Sequence, residues 1–247
     1  MASLYDDPQL YDLLFTPEPF LSFYKGLAHS HDGSVLELGC GNGQLLIPIA
    51  EPGRRCVGLD NHPRMLAAAI ERLAAAETDV HFVEADMRDF RLDERFSLIF
   101  VARNSLLHLH SYSDFEKFFL AVRKHLEPSV GLLAFDVFNP SVEILSQPSN
   151  VRELVERVSY PGRGIVTVEA AVDYDARSQV NRATWYASSQ SEPDFLVAPL
   201  HLRCVFPEEL LLMIDHFGFT LEARYGDFAS TEFRSASRHQ ICLCRPA

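Results

Sequence analysis

The sequence predicts an α/β fold, a mostly parallel sheet of seven strands with helices on both faces, joined by a small antiparallel β insertion. Three observations predict it. From Ser34 to Phe138, apolar strand-like runs alternate with segments of helical periodicity, the pattern of stacked βα units. A turn with a glycine at every other position, Gly39-Cys40-Gly41-Asn42-Gly43, follows the first of those runs without a break. After Asn139 the alternation stops for about seventy residues, longer than any connection a minimal sheet needs, and a helix, strand, strand ending resumes at Pro207.

The elements follow in order. Leu4 to Leu27 carries Tyr5, Tyr11, Phe15, Phe20, Phe23 and Tyr24, interrupted by Pro17 and Pro19. It reads as a helix, a break and a second helix from about Glu18 to Ala28, with aromatic faces that pack on a sheet. Ser34 to Leu38 is the first strand, Gln44 to Ala50 a helix, and Cys56 to Leu59 a second strand closed by Asp60. Glycines in the intervening turn permit positive φ and leave bare backbone for a ligand. The unpaired N–H groups of the Gln44 helix are expected to face that turn. An acid about twenty residues beyond the first glycine suits a ribose diol, so this is a nucleotide-binding βαβ unit.

Behind Asn61-His62-Pro63, a helix runs from Arg64 to Ala75 with Met65, Leu66, Ala69, Ile70 and Leu73 on one face. Val80 to Val83 is the third strand and Phe96 to Ala102 the fourth, apolar throughout as a strand covered on both faces should be. Asp114 to Leu126 is an amphipathic helix, and Val130 to Phe138 the fifth strand. Within the insertion, Val166, Val168, Ala170, Val172 and Tyr174 alternate as one face of a strand; Gln179 to Ser188 returns, and Leu200 to Phe206 is a third strand between two prolines. Pro207 to Phe217 is a helix, and Thr220 to Asp227 with His239 to Arg245 completes the sheet, the last strand antiparallel.

The glycine spacing separates two ligands. A dinucleotide fingerprint is G-x-G-x-x-G or A, and here Gln44 stands where its third small residue belongs. The spacing is instead that of E/D-x-G-x-G-x-G, beginning at Glu37. With Glu84-Ala85-Asp86-Met87-Arg88-Asp89-Phe90 after the third strand, the chain resembles the class I S-adenosylmethionine-dependent methyltransferases. Within them it is similar to bacterial enzymes that methylate amino sugars or other small amines. The resemblance covers residues 34 to 138 and 207 to 245 and implies a Rossmann-like fold. It also implies S-adenosyl-L-methionine as cofactor, released as S-adenosyl-L-homocysteine. On that footing Glu37, Gly39, Cys40, Gly41, Asp60, Asn61 and Ala102 belong to the cofactor site. Asp86 accepts from the adenine amino group, the Met87 amide meets a ring nitrogen, and Met65 either packs on adenine or fills the core. Tyr11 in the leader closes over the methionine end.

Ligands of open α/β sheets sit beyond the carboxyl ends of strands at the switch in strand order, so Ala102 to Ser105 should border the sulfonium. Asn104 and His108 are the catalytic candidates there, His108 being either a base or a packed side chain; the family's N/D-P-P-Y/F motif for bases and amides is absent after Asn104. In the insertion, His201 and Arg203 share a strand face and are the substrate candidates, Arg203 as an anchor for an acidic group or as the partner of a surface carboxylate.

The totals narrow the function further. A net charge of −12 argues against a nucleic-acid partner, which clustered cations would serve. Cys40, Cys56, Cys204, Cys242 and Cys244 lie mostly in apolar runs without zinc spacing, so buried thiols in a cytoplasmic protein and no metal are expected. No signal peptide or membrane-spanning run is visible. The expectation is one domain over 1–247: a helical leader at 1–30, a cofactor core at 31–138 and 207–247, and a substrate cover over the active site at 139–206. It would be a monomer or homodimer acting on a small molecule at nitrogen or oxygen. A noncatalytic S-adenosylmethionine-binding module, or an NAD(P)-dependent oxidoreductase disfavoured by Gln44, are the alternatives.

Overall fold

The computed structural model describes residues 3–141, 145–146 and 149–247. In chain order the elements are α1 (Pro8–Leu14), α2 (Phe20–Ser30), β1 (Val35–Leu38), α3 (Leu46–Ile49), β2 (Cys56–Asp60), α4 (Pro63–Ala74), β3 (His81–Glu84), β4 (Leu98–Val101) and α5 (Tyr112–His125). There follow β5 (Leu132–Phe138), β6 (Glu153–Tyr160), β7 (Gly164–Asp175), β8 (Val180–Ser188), β9 (Leu196–Arg203), α6 (Pro207–His216), β10 (Phe219–Tyr225) and β11 (His239–Pro246). They form two compact units, Pro17–Asn139 with Val205–Ala247, and Met1–Thr16 with Pro140–Cys204.

The larger unit is built on a seven-stranded sheet of order β10-β11-β5-β4-β1-β2-β3. All neighbours are parallel except β11, which runs antiparallel to both β5 and β10, as its sequence position predicted. Apolar alternation divides the side chains between the faces. Leu98 and Phe100 of β4, Leu132 and Ala134 of β5 and Ile241 and Leu243 of β11 pack with Phe23 and Tyr24 of α2 and Leu46 and Ile49 of α3. In a second aromatic cluster, Phe119 of α5 stacks on Phe217 at 5.0 Å and meets Phe219 of β10 at 5.5 Å. The chain steps outward from β1 to β3, then returns to place β4 on the other side of β1. That reversal is the switch point, and the carboxyl ends of β1 and β4 meet there.

One expected element is shorter. The helix predicted over Gln44 to Ala50 is only Leu46–Ile49. Pro48 removes a backbone donor from its interior, and Glu51, preceding Pro52, is steered away from helical backbone.

The smaller unit is a four-stranded antiparallel sheet of order β6-β7-β8-β9 covered by α1. Leu10 of α1 joins Val158, Val166, Val168, Ala187, Leu196 and Ala198 in its core. Asp7 caps α1 by accepting the Leu10 N–H at 2.9 Å and also accepts the Tyr160 hydroxyl at 3.1 Å, tying helix to sheet. Two details differ from the sequence expectation. β6 had not been anticipated, because as an edge strand it buries only Val158 and so lacks alternation. β9 begins at Leu196 and runs through Pro199, which an edge strand tolerates because no further strand needs its missing N–H. Along β7 the expected face also changes, Ala171 being buried in place of Ala170, just past the last residue paired with β6.

Candidate functional site

β1 delivers Glu37 and the glycine turn to the switch point. Glu37 is only 2% exposed, and its Oε2 has no hydrogen-bond partner. Burial pushes its pKa well above the usual carboxylate range, opposed by the Arg103 guanidinium and a backbone N–H from Leu46. Gly39, Gly41 and Gly43 all have positive φ, at 73°, 54° and 73°. A Cβ on Gly39 would lie 2.9 Å from Cβ of Ser105, and one on Gly41 would lie 3.1 Å from Cε of the buried Met65. Conformation favours glycine along the turn, and at Gly39 space does so as well.

Of the helix amides expected to face the turn, that of Leu46 bonds Glu37, and the turn's own amides are satisfied within the protein. Gly39 and Cys40 both donate to the Leu59 carbonyl, at 2.7 and 3.0 Å, and Gly43 donates to the Cys40 carbonyl at 3.0 Å. Gly41 donates to Asp60 Oδ2 at 2.7 Å. A helix as short as α3 adds little dipole. With four turn amides bonded within the protein and a buried acid beside them, the turn is a poor seat for a pyrophosphate. It offers bare backbone and carboxylates, which suit a cationic amino acid end joined to a ribose.

Asp60 closes β2, its Oδ1 accepting the His62 N–H at 2.8 Å. Burial raises its pKa while the His62 and Gly41 amides oppose the rise. Asn61 beside it is exposed. At the end of β3, Asp86 accepts from the Arg88 side chain at 2.6 Å, and Arg88 bridges to Asp114 at the same distance. Arg88 is the main reason that Asp86 stays below the usual carboxylate range, and so remains acceptor-only, the state its adenine assignment requires. Met87 follows it, half-buried.

The end of β4 is unusual. Ala102 is buried, and Arg103 and Asn104 after it are both left-handed, with φ of 57° and 62°. Their amides donate to one carboxylate, Asp136 on β5, at 2.9 and 3.2 Å. The Asn104 side chain accepts the Phe138 N–H at 2.6 Å, so the residue braces backbone. His108 ends the short 3-10 turn Ser105–His108, half-buried, and desolvation lowers its pKa to about 4, with His110 adding to the effect.

Tyr11, His201 and Arg203 belong to the smaller unit. Tyr11, on α1, packs against Phe15 at 4.7 Å and Tyr5 at 5.9 Å. His201 is exposed opposite Arg182. Arg203 donates to the Gln179 side chain and, at 3.1 Å, to the Cys204 carbonyl, which braces the end of β9. Sequence reasoning passed over Asp136, and read Tyr24 only as a packing aromatic. The available signal was one acid in the apolar run Leu132 to Phe138, since a charge buried in a central strand needs donors.

All five cysteines are buried and free. Among the described residues, no cluster of three His, Cys, Asp or Glu side chains could hold a metal ion, and no helix is long and apolar enough to cross a membrane.

The chain is similar to known proteins over most of its length. The family described as "Methyltransferase domain" matches residues 35–129. The putative methyltransferase YqeM of Bacillus subtilis (strain 168) is 28% identical over 229 residues, covering 90% of this chain and 89% of that protein. A cypemycin N-terminal methyltransferase from a Streptomyces species is 30% identical over 258 residues, covering 98% and 97%. The structure of the CcbJ methyltransferase from Streptomyces caelestis superposes with a TM-score of 0.81 at 26% identity, covering 99% of this chain and 98% of that one. Buried Glu37 with one unpartnered oxygen, the carboxylate of Asp60 and the glycine turn fit the cofactor these enzymes share, and this chain belongs to the S-adenosylmethionine-dependent methyltransferases.

Proposed function

We propose that the enzyme methylates an amine nitrogen of a small molecule. The observation that carries nitrogen over oxygen is His108. It follows the strand that ends at the switch point, and its pKa near 4 keeps the ring uncharged at neutral pH. An uncharged imidazole accepts a hydrogen bond from an amine N–H and orients the nitrogen lone pair. Such a weak base is far from what a hydroxyl acceptor needs in its transition state. The Streptomyces relative is named for methylating an N-terminus, which supports a nitrogen acceptor.

When bound, S-adenosylmethionine supplies an activated methyl carbon that the acceptor lone pair attacks in line, the C–S bonding pair leaving with sulfur. The chain's own residues orient and desolvate. Glu37 would take the ammonium group with its unpartnered oxygen, Asp60 the ribose hydroxyls, and Asp86 with the Met87 amide the adenine edge. Met65, buried over Gly41, would form the apolar wall beside them. Asn104 serves as a positioning residue through its bond to Phe138.

S-adenosylhomocysteine release, measured with matched amine and hydroxyl acceptors, tests the proposal. Amine-dependent turnover is expected, and His108→Ala should lower it by about tenfold, the worth of one hydrogen bond, with S-adenosylhomocysteine affinity unchanged. Turnover of the hydroxyl series alone would overturn the nitrogen assignment.

A further inference from the structure

Asp136 stands in the middle of β5, 0% exposed, in a strand whose other residues are apolar. A carboxylate in that position is costly unless donors meet its lone pairs. Three do. Tyr24 of α2 donates its hydroxyl to Oδ1 at 2.7 Å, the Arg103 amide donates to Oδ1 at 2.9 Å, and the Asn104 amide donates to Oδ2 at 3.2 Å. The last two come from consecutive left-handed residues without glycine, a conformation that costs Arg103 about 1–2 kcal/mol and Asn104 less. Such a pair persists only where its surroundings over-determine it.

The next residue connects this cluster to the cofactor turn. Ser105 is the side chain that a Cβ on Gly39 would meet at 2.9 Å. One carboxylate on β5 therefore sets the backbone that lays Ser105 against the β1 turn.

We propose that Asp136 is a positioning residue for the cofactor, acting through the Arg103-Asn104-Ser105 turn rather than by touching the ligand. The inference rests on the reading of the glycine turn as the seat of the methionine end. The ionised carboxylate accepts from both amides at once. Its protonated form turns one oxygen into a donor and cannot serve all three partners. The charged and titratable groups facing it are Tyr24 from α2 and Arg103 after β4, and behind Tyr24 stand Glu37 of β1 and Cys242 of β11. Burial raises Asp136 to about 6, opposed by the Tyr24 hydroxyl and the two amides.

Two consequences run in opposite directions with pH. Cofactor affinity through Asp136 should be full well above that value and fall about fivefold by pH 5, where only about a tenth of the carboxylate is ionised and the neutral form binds about tenfold more weakly. Stability moves the other way: a carboxyl whose folded pKa is raised binds its proton more tightly when folded, so its contribution declines as pH rises from about 4 to about 6. A residue needed only for folding would move affinity and stability together.

The test is calorimetric binding of S-adenosylhomocysteine from pH 5 to 8, with melting temperatures, on wild type, Asp136→Asn, Tyr24→Phe and Asp60→Ala. Asp136→Asn should bind about tenfold more weakly at pH 7.5, lose the acid limb, and melt no lower than wild type. Tyr24→Phe removes a donor that favours the ionised form, so its acid limb should move to higher pH. A folded Asp136→Asn with wild-type affinity and pH dependence would overturn the proposal. If that variant does not fold, an unshifted acid limb in Tyr24→Phe overturns it and a shifted one supports it. Asp60→Ala binding like wild type would remove the cofactor reading itself, and this inference with it.

Discussion

Two turns meet at the switch point, and they solve one geometric problem in different ways. The turn after β1 reaches positive φ with glycines, at little cost in strain. The turn after β4 reaches it with Arg103 and Asn104, and a buried carboxylate and a tyrosine hold it there. The first takes its conformation from glycine itself, with its amides held by the end of the neighbouring strand β2. The second depends on a strand and a helix distant in the chain, so it responds to charge and packing elsewhere. A site built from both has one passive wall and one adjustable wall.

The largest expected effect attacks the passive wall. Gly39→Val puts a β-branched residue at φ 73° with its Cβ 2.9 Å from Ser105. The strain and overpacking together should cost about 2–5 kcal/mol. Urea unfolding should show that loss, and a variant as stable as wild type would mean that the turn is not so confined. Next comes Asp60→Ala, which keeps the glycines but removes the acid together with the acceptor of the Gly41 N–H. S-adenosylhomocysteine binding should weaken by about 1.5–3 kcal/mol, the value of a hydrogen bond to a charged group, and an unchanged dissociation constant in the folded variant would remove the ribose assignment. The smallest effect sharpens the contrast by its sign. At position 103, glycine should be more stable than valine by about 1–2 kcal/mol, because valine resists left-handed backbone. In an ordinary strand or helix the order would reverse.

The same contrast explains what was legible in sequence. Glu37, Gly39 and Asp60 could be found because glycine spacing and an acid at the end of a strand are local signals. The mostly parallel sheet of seven strands with an antiparallel last strand followed from the alternation of apolar and helical segments, while the strand order came from the structure. The Arg103-Asn104 turn carries a weaker signal, since asparagine tolerates positive φ but arginine does not announce it. Asp136 sits in a run that any periodicity rule assigns to a buried strand, and its partners come from residues 24, 103 and 104. The short α3 carries its own signal in Pro48, which removes a donor from the helix interior. β6 escaped because an exposed edge does not alternate, and β9 was cut short because Pro199 was taken as a boundary rather than as an edge residue. The loss of the turn's amides to Leu59, Cys40 and Asp60 was invisible, because spacing says nothing of where an N–H points.

The bond from Tyr160 to Asp7 also bears on how the protein is made. A ribosome releases α1 early, yet the sheet that receives Leu10 is finished only when Leu196–Arg203 has emerged. Throughout that interval the apolar stripe of α1 has no docking surface. A nascent chain stalled near residue 150 should therefore present this stripe to chaperones, whereas one extended past β9 should hide it.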